Sequence, residues 1–235
     1  MSDYLREANR LGPRQYDGSC PVGSALNLVG DRWTLSLLKE LQFGARRFSD
    51  LRGSLPGLSA RALSLRLDQL EDRKLVTQVR LNSSTSVNLY QLTERGLCTR
   101  SLIIELVRWS VACGAYAPTL ASSGSSLAMS LLAMFRPQEQ LPQNARIRFV
   151  SPDLSFALRI SDGNATISNE DHRDWDAEIA GPVPLLARYI FGKTSPAQMV
   201  GQKPFKWCGD PYLIDVLPSW FASPPVYAER ALRLA

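Results

Sequence analysis

The chain has 235 residues, 45% of them hydrophobic and 21% charged, with a formal net charge of +5. That describes a globular protein, and the length allows two ordinary domains, each able to bury its own core. The same numbers argue against several classes. The longest apolar stretch, 127–135, is far too short to span a bilayer, so no membrane insertion is expected. Met1 to Gln15 is charged and lacks the apolar core of a signal peptide. A single histidine, His172, argues against His-based catalytic or zinc sites. Cysteines 20, 98, 113 and 208 have no metal-ligand spacing and read as reduced thiols of a cytoplasmic protein. No enzyme, cofactor or metal is predicted.

Charge is unevenly spread. Residues 1–117 hold 16 Lys and Arg against 11 Asp and Glu, whereas residues 118–235 hold 11 of each. All the excess positive charge therefore lies in the first half, as contact with phosphate would need.

In chain order, Pro21 suits a first helical turn, and Val22, Ala25, Leu26 and Val29 recur at helical spacing. Gly30-Asp31 interrupts this helix. Trp33, Leu37, Leu38 and Leu41 carry a second one, closed by Phe43-Gly44. Phe48 to Leu55 reads as a short helix, Pro56-Gly57 as a turn, and Ser59 as the N-cap of a helix over 60–73. Leu63, Leu67 and Leu70 of that helix must pack inward, which points Arg61, Ser64, Leu65 and Asp68 away from the core. Residues 75–81 and 87–92 pair around a polar tip. Thr93 is predicted to cap one long helix to about Cys113, with Leu97, Leu102, Leu106 and Trp109 as its buried stripe.

Residues 118–126 are small and polar and read as a linker. After it come an apolar helix over 127–135, strands 145–150, 154–160 and 165–169, and a fourth strand over 175–180. The turn Asp162-Gly163-Asn164 marks a hairpin. Helices 184–191 and 196–200, a strand at 205–208 and a last helix over 211–221 complete the pattern. The fold class is α+β, with domains over 1–117 and 127–222 and a tail over 223–235.

The strings CPVGSALNLVGDRWTL (20–35), RRFSDL (46–51) and LSARAL (58–63) stand in the order and spacing of a helix-turn-helix with its supporting helix. From Tyr16 to about Gly114 the chain resembles the HxlR family of winged-helix transcriptional regulators. The resemblance implies binding of double-stranded DNA as a homodimer, on a pseudo-palindromic operator, without distinguishing repressor from activator. It places Ser59, Ala60, Arg61, Ser64 and Leu65 at the major groove, where a guanidinium binds guanine or phosphate bidentately. Arg46 and Arg47 are expected as phosphate clamps, whereas Arg66 leans toward the core and should pair with a carboxylate.

Two departures stand out. HxlR-like wings commonly carry a Pro-rich tip with an Arg; here the tip is Asn82-Ser83-Ser84-Thr85-Ser86, leaving Asn82 and Ser84 for contact and Arg80 as a substitute cation from the strand. Leu65 stands where the family usually has a polar residue, and it either meets a thymine methyl or is simply exposed. Cys20, at or just before the helix starting at Pro21, is either a small packing residue or a thiol sensor, as in some HxlR-like regulators.

Element order and the Gly209-Asp210 signature give 127–221 a fainter similarity to sterol carrier protein type 2-like domains. This implies helices over a curved, mainly antiparallel sheet, enclosing a tunnel for an apolar or lipid-like effector. Phe156, Leu158, Trp175, Ile179, Leu186, Tyr189, Ile190 and Trp207 are the candidate lining, or else an ordinary core. The competing class is a lipid or acyl carrier whose winged helix is a protein-interaction module.

Overall fold

The computed structural model describes residues 16–81, 87–136, 142, 144–169, 174–192, 194–200 and 204–223. They fall into two compact units, residues 1–99 and 100–235.

In the first unit, helix α1 spans Pro21–Val29 and is capped by Cys20, whose Sγ lies 3.5 Å from the Gly23 N–H. The break at Gly30-Asp31 leads into α2, Thr34–Leu41, through Trp33 in the left-handed region at φ 76°. Helices α3 (Phe48–Ser54) and α4 (Ala60–Asp72) follow. Between them Gly57 adopts φ 91°, a left-handed conformation that glycine tolerates at least cost. Leu37, Leu38, Leu51, Leu63, Leu67 and Leu70 are all fully buried, so the expected leucine spacing does close one core. A three-stranded antiparallel sheet, in the order β1 (Arg46–Arg47), β3 (Val87–Leu92), β2 (Val76–Leu81), completes a winged helix-turn-helix. The wing tip, with Asn82 and Ser84, lies outside the described residues.

The long helix expected after Thr93 is broken. Thr93 caps only α5 (Glu94–Leu97), and α6 (Thr99–Ala112) starts after Cys98. Thr99 Oγ1 donates to the Gly96 carbonyl at 2.6 Å and accepts the Gln42 amide at 3.0 Å, a side-chain junction at the break.

The expected buried stripe is also corrected. Leu97, Leu102, Leu106 and Trp109 are 43%, 40%, 38% and 62% exposed, and Ile103, Val111 and Ala112 face inward instead. Helical spacing identifies an apolar face but not which surface covers it.

In the second unit, residues 118–126 hold a single 3-10 turn, Pro118–Leu120, and the start of α7 (Gly124–Met134). Pro118, Ala121, Ser123 and Ser125 are buried, so this stretch belongs to the packing. A five-stranded sheet follows, in the order β6-β5-β4-β7-β8: β4 (Asn144–Val150), β5 (Ser155–Ser161), β6 (Asn164–Ser168), β7 (Ala177–Ala180) and β8 (Lys206–Gly209). The β4–β7 pair is parallel and the other pairs are antiparallel. Asp162 and Gly163, at φ 51° and 73°, make the predicted hairpin turn.

One face of this sheet is core. It includes Ile147, Phe149, Phe156, Leu158, Ile160 and Ile179, each 2% exposed or less, with Phe149 and Phe156 stacked at 5.0 Å. Helix α8 (Val183–Phe191) packs against α7, which lies against β6; α9 (Pro196–Val200) follows α8.

The last helix is shorter than expected. Helix α10 (Pro211–Val216) gives way to a 3-10 turn, Leu217–Trp220. Pro218 has no N–H for the carbonyl four residues back. That carbonyl, of Ile214, accepts the buried Tyr189 hydroxyl instead, and burial pushes this hydroxyl's pKa up, which keeps the donor proton on.

The Gly209-Asp210 pair has a physical reason. Gly209 has φ 100°, and a Cβ there would lie 2.3 Å from the Asp176 carbonyl oxygen. Asp210 donates its N–H to the same carbonyl and caps α10 by accepting from Tyr212 N–H at 2.8 Å.

Candidate nucleic-acid interface

Helix α4 is the second helix of the helix-turn-helix. With Leu63, Leu67 and Leu70 sealed inward, the 100° helical step leaves Ala60, Arg61, Ser64, Leu65 and Asp68 exposed together. Ser59 is the N-cap, its Oγ accepting from Ala62 N–H at 3.2 Å. Among the described residues the Arg61 guanidinium has no hydrogen-bond or ion-pair partner, so its five donors are available. Leu65 is 56% exposed, an apolar surface beside Arg61 and Ser64.

The two neighbouring arginines separate. Arg46, expected as a phosphate clamp, is instead 9% exposed and bonded to the fully buried Glu40 at 2.6 Å. Alternation along a strand sends adjacent residues to opposite faces, so one must point inward, and Glu40 supplies the counter-charge there. Arg47 points outward, and its backbone N–H meets Asp50 Oδ2 at 3.4 Å. Arg80, on β2, is exposed, and Arg47 and Arg80 have no side-chain partner among the described residues. Arg52 on α3 is equally exposed and unpartnered, and the sequence reading passed over it. An isolated arginine in a short polar helix has no spacing that sets it apart.

What holds α4 is equally specific. Asp31 Oδ2 accepts from Arg73, the C-cap of α4, at 2.8 Å and forms an ion pair at 2.8 Å with Arg66, two turns earlier, whose Nη1 donates to Gln69 Oε1 at 2.7 Å. Arg73 also donates to the Leu28 carbonyl of α1 at 2.7 Å. Arg66 thus has the carboxylate partner expected of it. Asp31, read from the sequence as part of a helix break, ties the middle and the C-terminal end of α4 to the α1–α2 connection.

Cys20 is exposed at the start of α1, as are Cys98, Cys113 and Cys208. Among the described residues no group of His, Cys, Asp and Glu could hold a metal ion. No helix among them is long and apolar enough to cross a membrane. His172 lies outside the described residues.

In the second unit, the candidate ligand residues do not gather around one opening. Phe156, Leu158, Ile179, Leu186, Tyr189 and Ile190 are core residues, 2% exposed or less. Trp207 is half-buried, paired across strands with Ile179. Trp175 is half-buried and stands at a cavity on the opposite, polar face of the sheet.

Residues 28–116 match the model of the HxlR-like helix-turn-helix family. An uncharacterised HTH-type transcriptional regulator of Mycobacterium tuberculosis is 42% identical over 88 residues, covering 37% of this chain and 55% of that protein. The chain therefore spans about half the length of this mycobacterial relative. The HTH-type transcriptional regulator YodB of Bacillus subtilis is 30% identical over 92 residues, covering 39% of this chain and 82% of that one. The solved structure of reduced YodB is 30% identical, covers 39% of this chain and 90% of its own, and superposes with a TM-score of 0.36.

Proposed function

Because the chain belongs to the HxlR-like helix-turn-helix family, we propose that it is a transcriptional regulator that binds a pseudo-palindromic DNA operator as a homodimer, one half-site per subunit. The observation that carries this reading is the exposed face of α4, with an unpartnered Arg61 on a helix clamped by Asp31. In the major groove Arg61 reads guanine or grips phosphate, Ser59, Ala60 and Ser64 approach the backbone and base edges, and Leu65 meets a thymine methyl. Arg47 and Arg80 add phosphate contacts, and Asn82 and Ser84 are the candidate groove contacts from the wing sequence. Arg46 serves the fold through Glu40 instead.

Homodimerisation uses the apolar stripe Leu102, Leu106 and Trp109 of α6. A second copy covering it removes from water a face that a lone subunit leaves exposed. The second domain, over 127–222, is of sterol carrier-like build and takes an apolar effector that biases operator affinity. Its element order and its Gly209-Asp210 junction support the build, and the effector would have to open the core that Phe156, Leu158 and Ile179 now fill. Such coupling requires different effector affinity in the DNA-competent and DNA-incompetent states.

The test is binding of the purified protein to DNA upstream of its own coding region, at several salt concentrations and with unrelated DNA as competitor. Competitor-resistant binding supports an operator-specific regulator. Binding that salt abolishes equally on any DNA reflects phosphate attraction alone and refutes it.

A further inference from the structure

The polar face of the second unit's sheet is built unlike a mere solvated surface. Arg146 on β4 stands directly opposite Arg159 on β5, and Arg148 stands opposite Ala157 on one side and Glu178 on the other. Like charges opposed across a sheet weaken it. The carboxylates that could relieve them are mostly engaged elsewhere. Glu178 bonds Arg148 at 3.2 Å, and Asp176 Oδ2 accepts the Arg146 backbone N–H at 2.7 Å. Among the described residues the guanidiniums of Arg146 and Arg159 have no hydrogen-bond or ion-pair partner, and Asp174 is the unengaged carboxylate beside them.

These side chains surround a concavity. Two adjoining cavities, of about 360 Å³ and about 510 Å³, share Arg146, Arg159, Asp174 and Trp175. Ala157, Thr166 and Ser168 keep the first one open because they are short beside arginines. Volumes of this order match small-molecule sites. Trp175 adds a half-buried aromatic wall beside the two guanidiniums.

We infer that this sheet face is a binding site for a small anion on a flat ring, an aromatic carboxylate or phosphate. The Arg146 and Arg159 forks would take the anionic group, a geometry that planar guanidinium matches bidentately. The ring would stack on Trp175, and the hydroxyls of Thr166 and Ser168 are within the same cavity for its polar substituents. A bound anion removes the repulsion between the two opposed arginines, so the site is electrostatically prepared for it. A nucleic-acid backbone fits less well. The surface is concave, Asp174 and Asp176 stand at its edge, and residues 118–235 carry no net charge. The site is separate from the apolar interior under the helices and does not rest on the DNA-binding reading.

Calorimetric titration of the 235-residue chain tests it, with salicylate and phenyl phosphate as probes and uncharged salicylamide as control. The expected result is saturable binding of at least one anion, none of the amide, and at least about ten-fold weaker binding in the Arg146→Gln/Arg159→Gln double variant. The same anion should quench tryptophan fluorescence in the wild type and lose that quenching in Trp175→Phe, a check that stands even if the double variant fails to fold. No saturable binding of either anion up to about 10 mM, a concentration at which charge screening is still weak, would overturn the assignment. So would equal affinity in the double variant, or quenching that survives Trp175→Phe. Loss of non-operator DNA binding in the double variant, without binding of either probe, would assign the face to a nucleic-acid backbone and overturn it too.

Discussion

Replacing Asp31 with Ala removes the carboxylate whose Oδ2 pairs with Arg66 of α4 and with Arg73 at its C-cap, each at 2.8 Å. The two contacts differ in environment. The Arg73 side chain is 6% exposed and that of Arg66 is 19% exposed, while Asp31 itself is 40% exposed. A charge-assisted bond to a buried group contributes about 2 kcal/mol, and the more exposed Arg66 pair about 0.5 kcal/mol after solvent screening. Arg73 keeps its bond to the Leu28 carbonyl, but its Nε already lacks a partner, so water is poorly placed to replace the lost one. The expected cost is about 2.5 kcal/mol, confined to the first unit. Native-state hydrogen exchange reads this directly. Amides of Leu67 and Leu70 in α4 should exchange about sixty-fold faster, at about 1.4 kcal/mol per factor of ten. Amides of Ile147 and Leu158 in the second unit serve as the reference. Asp31→Asn, which keeps a neutral acceptor, should lose about half as much. A change below about three-fold in Asp31→Ala would show that the clamp contributes nothing and refute the reasoning.

Other perturbations separate the remaining roles. Arg61→Ala should weaken operator binding more than about ten-fold with an unchanged melting curve, and normal binding in a gel-shift titration would remove the central contact. Trp109→Glu places a charge in the apolar stripe of α6 and should shift the sedimenting species from dimer to monomer; an intact dimer would move the interface elsewhere. Gly209→Ala forces a Cβ to 2.3 Å from the Asp176 carbonyl in a left-handed backbone. It should destabilise the second unit by more than about 2 kcal/mol in urea denaturation, and a neutral effect would mean that the β7–β8 junction relaxes freely.

The pattern of residues alone determined most of the first unit. Leucines at 63, 67 and 70 specify one inward face of α4, and a helix has only one opposite face, so the exposure of Arg61, Ser64 and Leu65 followed from periodicity. Pro21, Pro56-Gly57, Ser59 and Asp162-Gly163 are local signals whose conformations depend on their own backbone, and they stand where expected. What depends on a distant partner was not legible. Arg46 and Arg47 look alike in sequence, and only the buried Glu40 distinguishes the inward one. The stripe of Leu102, Leu106 and Trp109 has the same spacing whether its cover is its own chain or another. The break at Cys98 is set where Thr99 meets Gln42, 57 positions away. The opposition of Arg146 to Arg159 exists only once β4 and β5 pair in register. Local periodicity fixes which face a residue occupies, whereas counter-charges, covers and cross-strand neighbours are long-range facts that arise only when the chain closes on itself.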